Sequence, residues 1–226
     1  MHHCLFIARM FRLLTILDTT TLRKTSAARH NNLNMAEREL QDILRKLKSS
    51  KDYQKSLALL SKAKLLLLKL NALIPTATTP RALFLFAREL FEAGALISIR
   101  HKDPEAFTRY VDQLQPFYDL QAEIQPGEKS ERAKITGLYL LLLLTKGDYA
   151  AFHTELEGLE MRAGHGSDVE EDRYMSYPVK LERWLMEGSY DRVWNAMASR
   201  EVPSEEYSVF SEVCHITDPV IMPLRT

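Results

Sequence analysis

Histidine and cysteine are the side chains best suited to hold a metal ion, and their spacing here supports no such site. Cys4 and Cys214 lie near opposite ends of the chain and share no metal-ligand or redox spacing. None of the seven histidines stands in an HExxH motif or beside a cysteine at zinc spacing. His153-Thr154-Glu155 has the H-x-E order of a zinc deaminase but lacks the P-C-x-x-C that must follow it. We therefore predict no metal site and no catalytic residue.

Motifs for phosphate binding and nucleophilic catalysis are also missing. No GxxxxGK(S/T) or GxGxxG run is present to hold a phosphate group, and no GxSxG elbow or kinase signature occurs. Carboxylates are plentiful, but those in 155–160 and 168–172 are typical of solvated helix faces and loops. The sequence therefore predicts a protein that is not an enzyme and that uses no cofactor and no small-molecule substrate.

The charge balance and the apolar runs argue against two classes of partner. Lys+Arg and Asp+Glu are both 30, so the formal net charge is zero, and we expect neither a nucleic-acid partner nor a membrane partner. The two most apolar runs, 65–68 and 138–144, are far shorter than the ~18–20 residues needed to cross a bilayer. Charged residues bracket both runs, which predicts helices that are buried on most sides.

From residue 36 onward the apolar residues recur at the spacing of an α-helix. Side chains three or four positions apart share one helix face, and no stretch alternates with the period of two that marks a strand. Pro75 ends one predicted helix and Pro80 opens the next. We therefore predict an all-α fold. The predicted faces comprise Leu57, Leu60, Ala63, Leu67, Leu70 and Ile74; Leu83, Phe86, Leu90, Ala93 and Ile97; Phe107, Tyr110, Leu114 and Phe117; and Phe152, Leu156 and Leu159.

Short polar breaks with a capping residue recur along the chain. They lie at 51–53, 102–104, 147–149 and 188–190, and each offers Asp or Ser as an N-cap. The last three caps, Asp103, Asp148 and Ser189, follow one another at the ~40–47-residue period of stacked helix pairs. The sequence therefore predicts a stack of antiparallel helix pairs of the TPR or HEAT kind.

The two ends of the chain differ from this middle part. Residues 1–34 carry five Lys or Arg and one acid, which is typical either of a mitochondrial transit peptide or of an extension outside the folded protein. We favour a disordered extension over 1–34, a helical-repeat domain over 36–213 and an irregular tail over 214–226. The last predicted helix begins near Ser204, and we expect its apolar residues, Tyr207, Phe210 and Val213, to lack packing partners.

One segment carries a resemblance to a known family. Residues 177–190 have the sequence YPVKLERWLMEGSY, and residues 202–207 read VPSEEY. Together with the less specific TPRALFLFAR of 79–88, they resemble the 26S proteasome non-ATPase regulatory subunit 8 family. Trp184 and Trp194 are both expected in the core, with a partner contact as the alternative. The possible family-motif or partner-contact positions are Tyr177, Pro178, Leu181, Glu182, Trp184, Leu185, Tyr190 and Trp194.

The resemblance implies a PCI-type subunit, in which helical repeats lead into a winged helix and no catalytic activity is present. It implies a role in assembling the proteasome lid, with other lid subunits as partners, in ubiquitin-dependent protein degradation in cytoplasm and nucleus. Related scaffolds of the signalosome and of translation initiation factor three share that architecture and remain the alternative. We expect this chain to be truncated before the winged helix, because 13 residues follow Val213.

Overall fold

The fold consists of α-helices joined by short turns. The structure is a computed structural model that describes residues 35–50, 52–76, 78–124, 130–163, 172–198 and 202–209. These ranges contain no strand, so the predicted all-α class is confirmed. The predicted extension over 1–34, the tail over 214–226, Phe210 and Val213 lie outside the described residues. The helices are α1 (35–49), α2 (Tyr53–Lys69), α3 (Arg81–Arg100), α4 (Pro104–Ile124), α5 (Arg132–Thr145), α6 (Tyr149–Ala163), α7 (Ser176–Met186), α8 (Tyr190–Ala198) and α9 (205–209).

Most helices pack against the helix that follows them in the sequence, and two of them also pack against the helix after that. Consecutive helices from α2 to α6 contact each other, as do α7 and α8, while α3 contacts α5 and α5 contacts α7. α1 joins the stack through ion pairs from Lys62 to Glu39, at 2.8 Å, and from Lys48 to Glu89. Helices that pair with their neighbours and stack on the next pair form a two-layer repeat, which confirms the predicted helix pairs.

One turn geometry repeats at the ends of four helices. Asn71, Lys102, Gly147 and Gly188 all have a positive φ, between 52° and 69°. After each of them, the next backbone N–H reaches back to the carbonyl five residues earlier, which is the Schellman pattern. At the last three turns the next helix begins two residues later, so a single turn both ends one helix and starts its partner. The bonds are Ala72 to Leu67 (2.9 Å), Asp103 to Ser98 (2.9 Å), Asp148 to Leu143 (3.0 Å) and Ser189 to Trp184 (2.8 Å).

Aspartate caps open three of these helices as predicted. The Asp103 carboxylate accepts the Ala106 N–H at 2.9 Å, and Asp148 accepts that of Ala151 at 3.0 Å. Asp52 caps α2 in the same way. Each cap satisfies a backbone donor that the first helical turn leaves without a partner. The predicted breaks at 102–104, 147–149 and 188–190 therefore coincide with the observed turns.

The prediction that both leucine runs are buried is right for one run and wrong for the other. In α5, all six leucines from Leu138 to Leu144 are buried, because neighbouring helices contact α5 on several sides. In α2, Leu65 and Leu68 are 59% and 55% exposed, and of the run only Leu67 is fully buried. α2 lies toward the edge of the stack, so its outer face has no packed neighbour among the described helices. No helix in the described ranges is long and apolar enough to span a bilayer.

α2 also ends earlier than its apolar spacing predicts. The helix stops at Lys69, and the positive φ of Asn71 turns the chain away before Pro75. Ile74, predicted on the buried face, is exposed for that reason, while Leu60 and Ala63 on the same face are buried. The later stripes agree better, and all four predicted residues of α4 are buried.

Gly94 allows α3 and α4 to approach closely. A Cβ placed on it would lie 2.6 Å from a ring carbon of Tyr110. The Tyr110 and Phe117 rings of α4 both contact Phe91 of α3, with centroids 6.4 and 5.6 Å away. The missing side chain at Gly94 therefore leaves room for the Tyr110 ring of α4.

Candidate functional site

A short helix, α9, is anchored to the stack by one acidic residue. Glu206 is buried at 3% residue exposure, and its two carboxylate oxygens contact different helices. One oxygen lies 2.8 Å from the Arg100 guanidinium of α3, and the other lies 2.9 Å from the Lys134 ammonium of α5. A carboxylate between two cations from separate helices ties α9 to both of them.

Tyr207 occupies the adjacent site and is completely buried. Its hydroxyl donates to the Tyr174 carbonyl at 3.0 Å and lies 3.3 Å from the Lys134 carbonyl. The hydroxyl fits against α5 because residue 137 is glycine. A Cβ there would lie 2.5 Å from the Tyr174 carbonyl oxygen and closer still to the hydroxyl. The expectation that Tyr207 lacks a packing partner is therefore wrong, since a glycine in α5 leaves room for it.

The anchor sets the ionisation of both side chains. Burial alone would raise the pKa of Glu206, but hydrogen bonds from Lys134 and Arg100 outweigh it and lower that pKa to about 2. Burial raises the pKa of Tyr207, and nearby Asp172 adds to the effect. At neutral pH the acid is therefore ionised and the phenol keeps its proton, which are the forms that these contacts need.

A second buried polar group lies between α3 and α4. Arg88 and Glu92 form a pair with Nε and Oε1 3.6 Å apart, and the Tyr118 hydroxyl lies 3.3 Å from the same oxygen. Burial raises the pKa of Glu92 to about 7, although Arg88 opposes the shift. An open cavity of about 670 Å³ between α1, α3 and α5 borders this pair.

A carboxyl group with a raised pKa beside a cavity is a usual signal of acid–base chemistry. The described residues offer no group of three His, Cys, Asp or Glu that could hold a metal ion. The cavity is lined by Leu47, Leu96 and Ile97 and by charged side chains, with no cysteine or histidine. Arg88 and Glu92 both belong to α3, and the Tyr118 hydroxyl links Glu92 to α4, so a role in packing explains their burial. Sequence inspection missed it because Arg88 lies in an ordinary apolar helix.

The family motif of 177–190 points mostly inward. Pro178 and Leu181 are buried, and the Tyr177 ring contacts the Tyr207 ring edge-on with centroids 5.9 Å apart. Glu182 is largely buried, and its carboxylate lies 3.2 Å from the His153 imidazole of α6. These residues hold α7 against α6 and α9.

The two tryptophans lie in different surroundings. Trp184 is partly buried and, like Leu185, packs against the core. Trp194 is 37% exposed, so the expectation that it lies in the core is wrong, and Tyr190, one turn earlier on the same face of α8, is 52% exposed. Val193 of the same helix is buried against the stack. The outer face of α8, defined here by Tyr190 and Trp194, is the described aromatic surface most suited to a protein partner.

Comparison with known proteins bears on the same segments. Residues 131–212, which contain α5 to α9, match the CSN8/PSMD8/EIF3K family. The 26S proteasome regulatory subunit RPN12 of Saccharomyces cerevisiae is 34% identical over 166 residues, which is 72% of this chain and 59% of that protein. The Schizosaccharomyces pombe rpn12 is 37% identical over 72% of the chain and 56% of its own length. The 26S proteasome non-ATPase regulatory subunit 8 homolog A of Arabidopsis thaliana is 35% identical, over 72% and 59%. The chain thus spans less than three fifths of the length of these relatives.

Proposed function

We propose that this homologue of the 26S proteasome regulatory subunits RPN12 and subunit 8 is a non-catalytic scaffold of the regulatory-particle lid. In that role it supports lid assembly and, through it, ubiquitin-dependent protein degradation. The observation that carries the proposal is the similarity to three proteasome regulatory subunits over 72% of the chain. Its partners are other lid subunits, and its place is the cytoplasm and nucleus. We propose no nucleic-acid partner, membrane partner or small-molecule substrate.

The structure supports a scaffold because its features serve packing and recognition. The buried polar contacts of Glu206 with Lys134, of Glu92 with Tyr118 and of Glu182 with His153 each join one helix to another. The stacked repeat leaves an extended outer surface, as solenoid proteins do when they bind other proteins. On that surface, the α8 outer face exposes Tyr190 and Trp194 side by side. We propose this face as a contact with a neighbouring lid subunit.

A scaffold of the signalosome or of translation initiation factor three is the second candidate. The family that matches residues 131–212 groups all three kinds of subunit by its name. The full-length relatives favour the proteasome, since the similarity to them extends N-terminally beyond that region. The candidates differ in the complex that the chain joins.

Affinity purification of the tagged chain from cells, with partners identified by mass spectrometry, tests the proposal. We expect lid subunits to be enriched, and we expect a Tyr190→Ala/Trp194→Ala double variant to recover fewer of them. Tyr149→Ala is the matched control, because Tyr149 is equally exposed at 37% but lies on α6. Equal recovery by both variants would reject the α8 outer face, and recovery of signalosome or initiation-factor subunits would reject the proteasome.

A further inference from the structure

A small pocket between α2 and α4 carries positive charge that the described residues do not neutralise. The pocket has a volume of about 240 Å³. Its lining residues are Tyr53, Leu57, Lys64, Asp103, Ala106, Arg109, Tyr110 and Gln113. It lies apart from α8 and α9, and none of the contacts described above uses its two cations.

Lys64 is the central feature of this pocket. Its ammonium lies over the Tyr110 ring, 4.1 Å from the centroid, and 5.7 Å from that of Phe91. Within the described part of the chain, no carboxylate makes an ion pair with it. The aromatic faces stabilise the ammonium, and none of the described residues accepts a hydrogen bond from its three N–H donors. Burial lowers the pKa of Lys64, and repulsion from Arg109 adds to that effect.

Arg109 places a second cation at the rim. Its nearest carboxylate is that of the exposed Glu105, which is 4.0 Å away. Asp103 is the one acid among the lining residues, and its two oxygens are already used by the Tyr53 hydroxyl at 3.1 Å and the Ala106 N–H. Two cations against one engaged carboxylate leave the pocket with a net positive charge.

We propose that this pocket binds the carboxylate of a glutamate or aspartate side chain that projects from a partner protein. The ammonium of Lys64 and the guanidinium of Arg109 would each donate to it, and the walls of Tyr53 and Leu57 would pack against its methylene groups. The volume admits a side chain and not a helix or strand. A monoanion matches the net charge of the pocket, whereas a phosphate dianion would add repulsion from Asp103.

The test uses the isolated 226-residue chain, labelled with ¹³C in its tyrosine rings, and three probes. These are a blocked Gly-Glu-Gly peptide, the matching Gly-Gln-Gly peptide and inorganic phosphate. We expect the Glu peptide to shift the Tyr53 and Tyr110 signals with a millimolar Kd, as one side chain without a larger interface should. The Gln peptide should leave these signals unchanged, and phosphate should compete weakly.

Two variants assign the effect to the two cations. Lys64→Met keeps the length of the side chain and should weaken binding of the Glu peptide about tenfold, and Arg109→Gln should weaken it severalfold. Lys69→Met, at an exposed position of the same helix, is the control and should change nothing. Because Arg109 is exposed, its variant tests the pocket even where Lys64→Met fails to fold.

Three outcomes would overturn the proposal. Equal shifts with the Gln peptide would show a site for peptide groups and not for carboxylates. Tighter binding of phosphate than of the Glu peptide would show a general anion site. The absence of any shift at tens of millimolar Glu peptide would show no site. Since the titration uses the isolated chain, its result is independent of whether the chain enters the proteasome lid.

Discussion

Replacing Glu206 with glutamine should separate the charge of the α9 anchor from its shape. Glutamine keeps the size of the side chain but cannot accept charged hydrogen bonds from both Arg100 and Lys134. The pKa of Glu206 is about 2 in the folded protein, against an ordinary value of 4.5. By linkage, that difference corresponds to about 3 kcal/mol of folding free energy at neutral pH. We expect Glu206→Gln to lower the unfolding free energy by roughly 2–3 kcal/mol. The loss can be smaller than the full value of about 3 kcal/mol because the half-exposed Arg100 recovers some hydration.

The pH dependence has a definite sign. Because the folded pKa is depressed, the contribution of Glu206 is fully present above the unfolded value of about 4.5 and is lost as pH falls toward 2. Urea unfolding of wild type and variant at pH 7, 4 and 3 measures the difference. The deficit of Glu206→Gln should be nearly constant from pH 7 to 4.5 and should fall by more than half at pH 3.

Glu205→Gln provides the matched control, because Glu205 is the exposed neighbour of Glu206 in α9. It should change the unfolding free energy by less than about 0.5 kcal/mol at every pH. If Glu206→Gln and Glu205→Gln were equally stable at pH 7, the ion pairs would contribute nothing. If the deficit of Glu206→Gln were the same at pH 7 and pH 3, it would come from packing and the electrostatic reasoning would be refuted.

Four other substitutions test the buried polar pair, the tight contact in α5 and the tryptophans. As pH rises from 4.5 to 7, the unfolding free energy of Glu92→Gln should increase by about 3 kcal/mol relative to that of wild type. The reason is that the folded pKa of about 7 makes wild-type stability fall over this pH range. Urea unfolding at pH 4.5 and 7.5 measures the difference. Gly137→Ala should lower the unfolding free energy measured in urea by about 1–3 kcal/mol, although alanine has the better helix propensity. The loss should be smaller when the same substitution is made in the Tyr207→Phe variant. By calorimetry, Trp184→Ala should lower the unfolding free energy by about 2–3 kcal/mol and Trp194→Ala by less than about 1 kcal/mol, because Trp184 is the more buried of the two. A larger loss for Trp194→Ala would contradict this burial.

The repeat could be predicted from sequence because its signals are local. Asp103 and Asp148 cap the helices that follow them within three residues, and Gly147 and Gly188 supply the positive φ that the turns require. Lys102 adopts the same conformation without being glycine, so its turn could be found only from the cap beside it. The apolar stripe of α4 was predicted correctly for a similar reason, since a helix with neighbours on one side shows a clear period.

Features that depend on distant contacts could not be predicted in this way. Leu65 and Leu68 resemble the leucines of α5 in sequence, and their exposure follows from the edge position of α2. The site of Tyr207 needs a glycine 70 positions earlier, and the Glu206 anchor needs Arg100 and Lys134 from two other helices. Single-sequence patterns contain no information about such pairs, because each residue alone has an ordinary surface or helical context.

The proposed membership of this chain in the proteasome lid is tested most directly by where the chain migrates in a cell extract. A tagged chain is expressed in cells depleted of the endogenous subunit, and the extract is separated by native gradient sedimentation. Quantitative mass spectrometry then compares the chain with lid, signalosome and initiation-factor subunits in every fraction. We expect the chain to co-sediment with lid subunits in the 26S fractions. Co-sedimentation with the signalosome or with initiation factor three, or migration as a free protein, would contradict it.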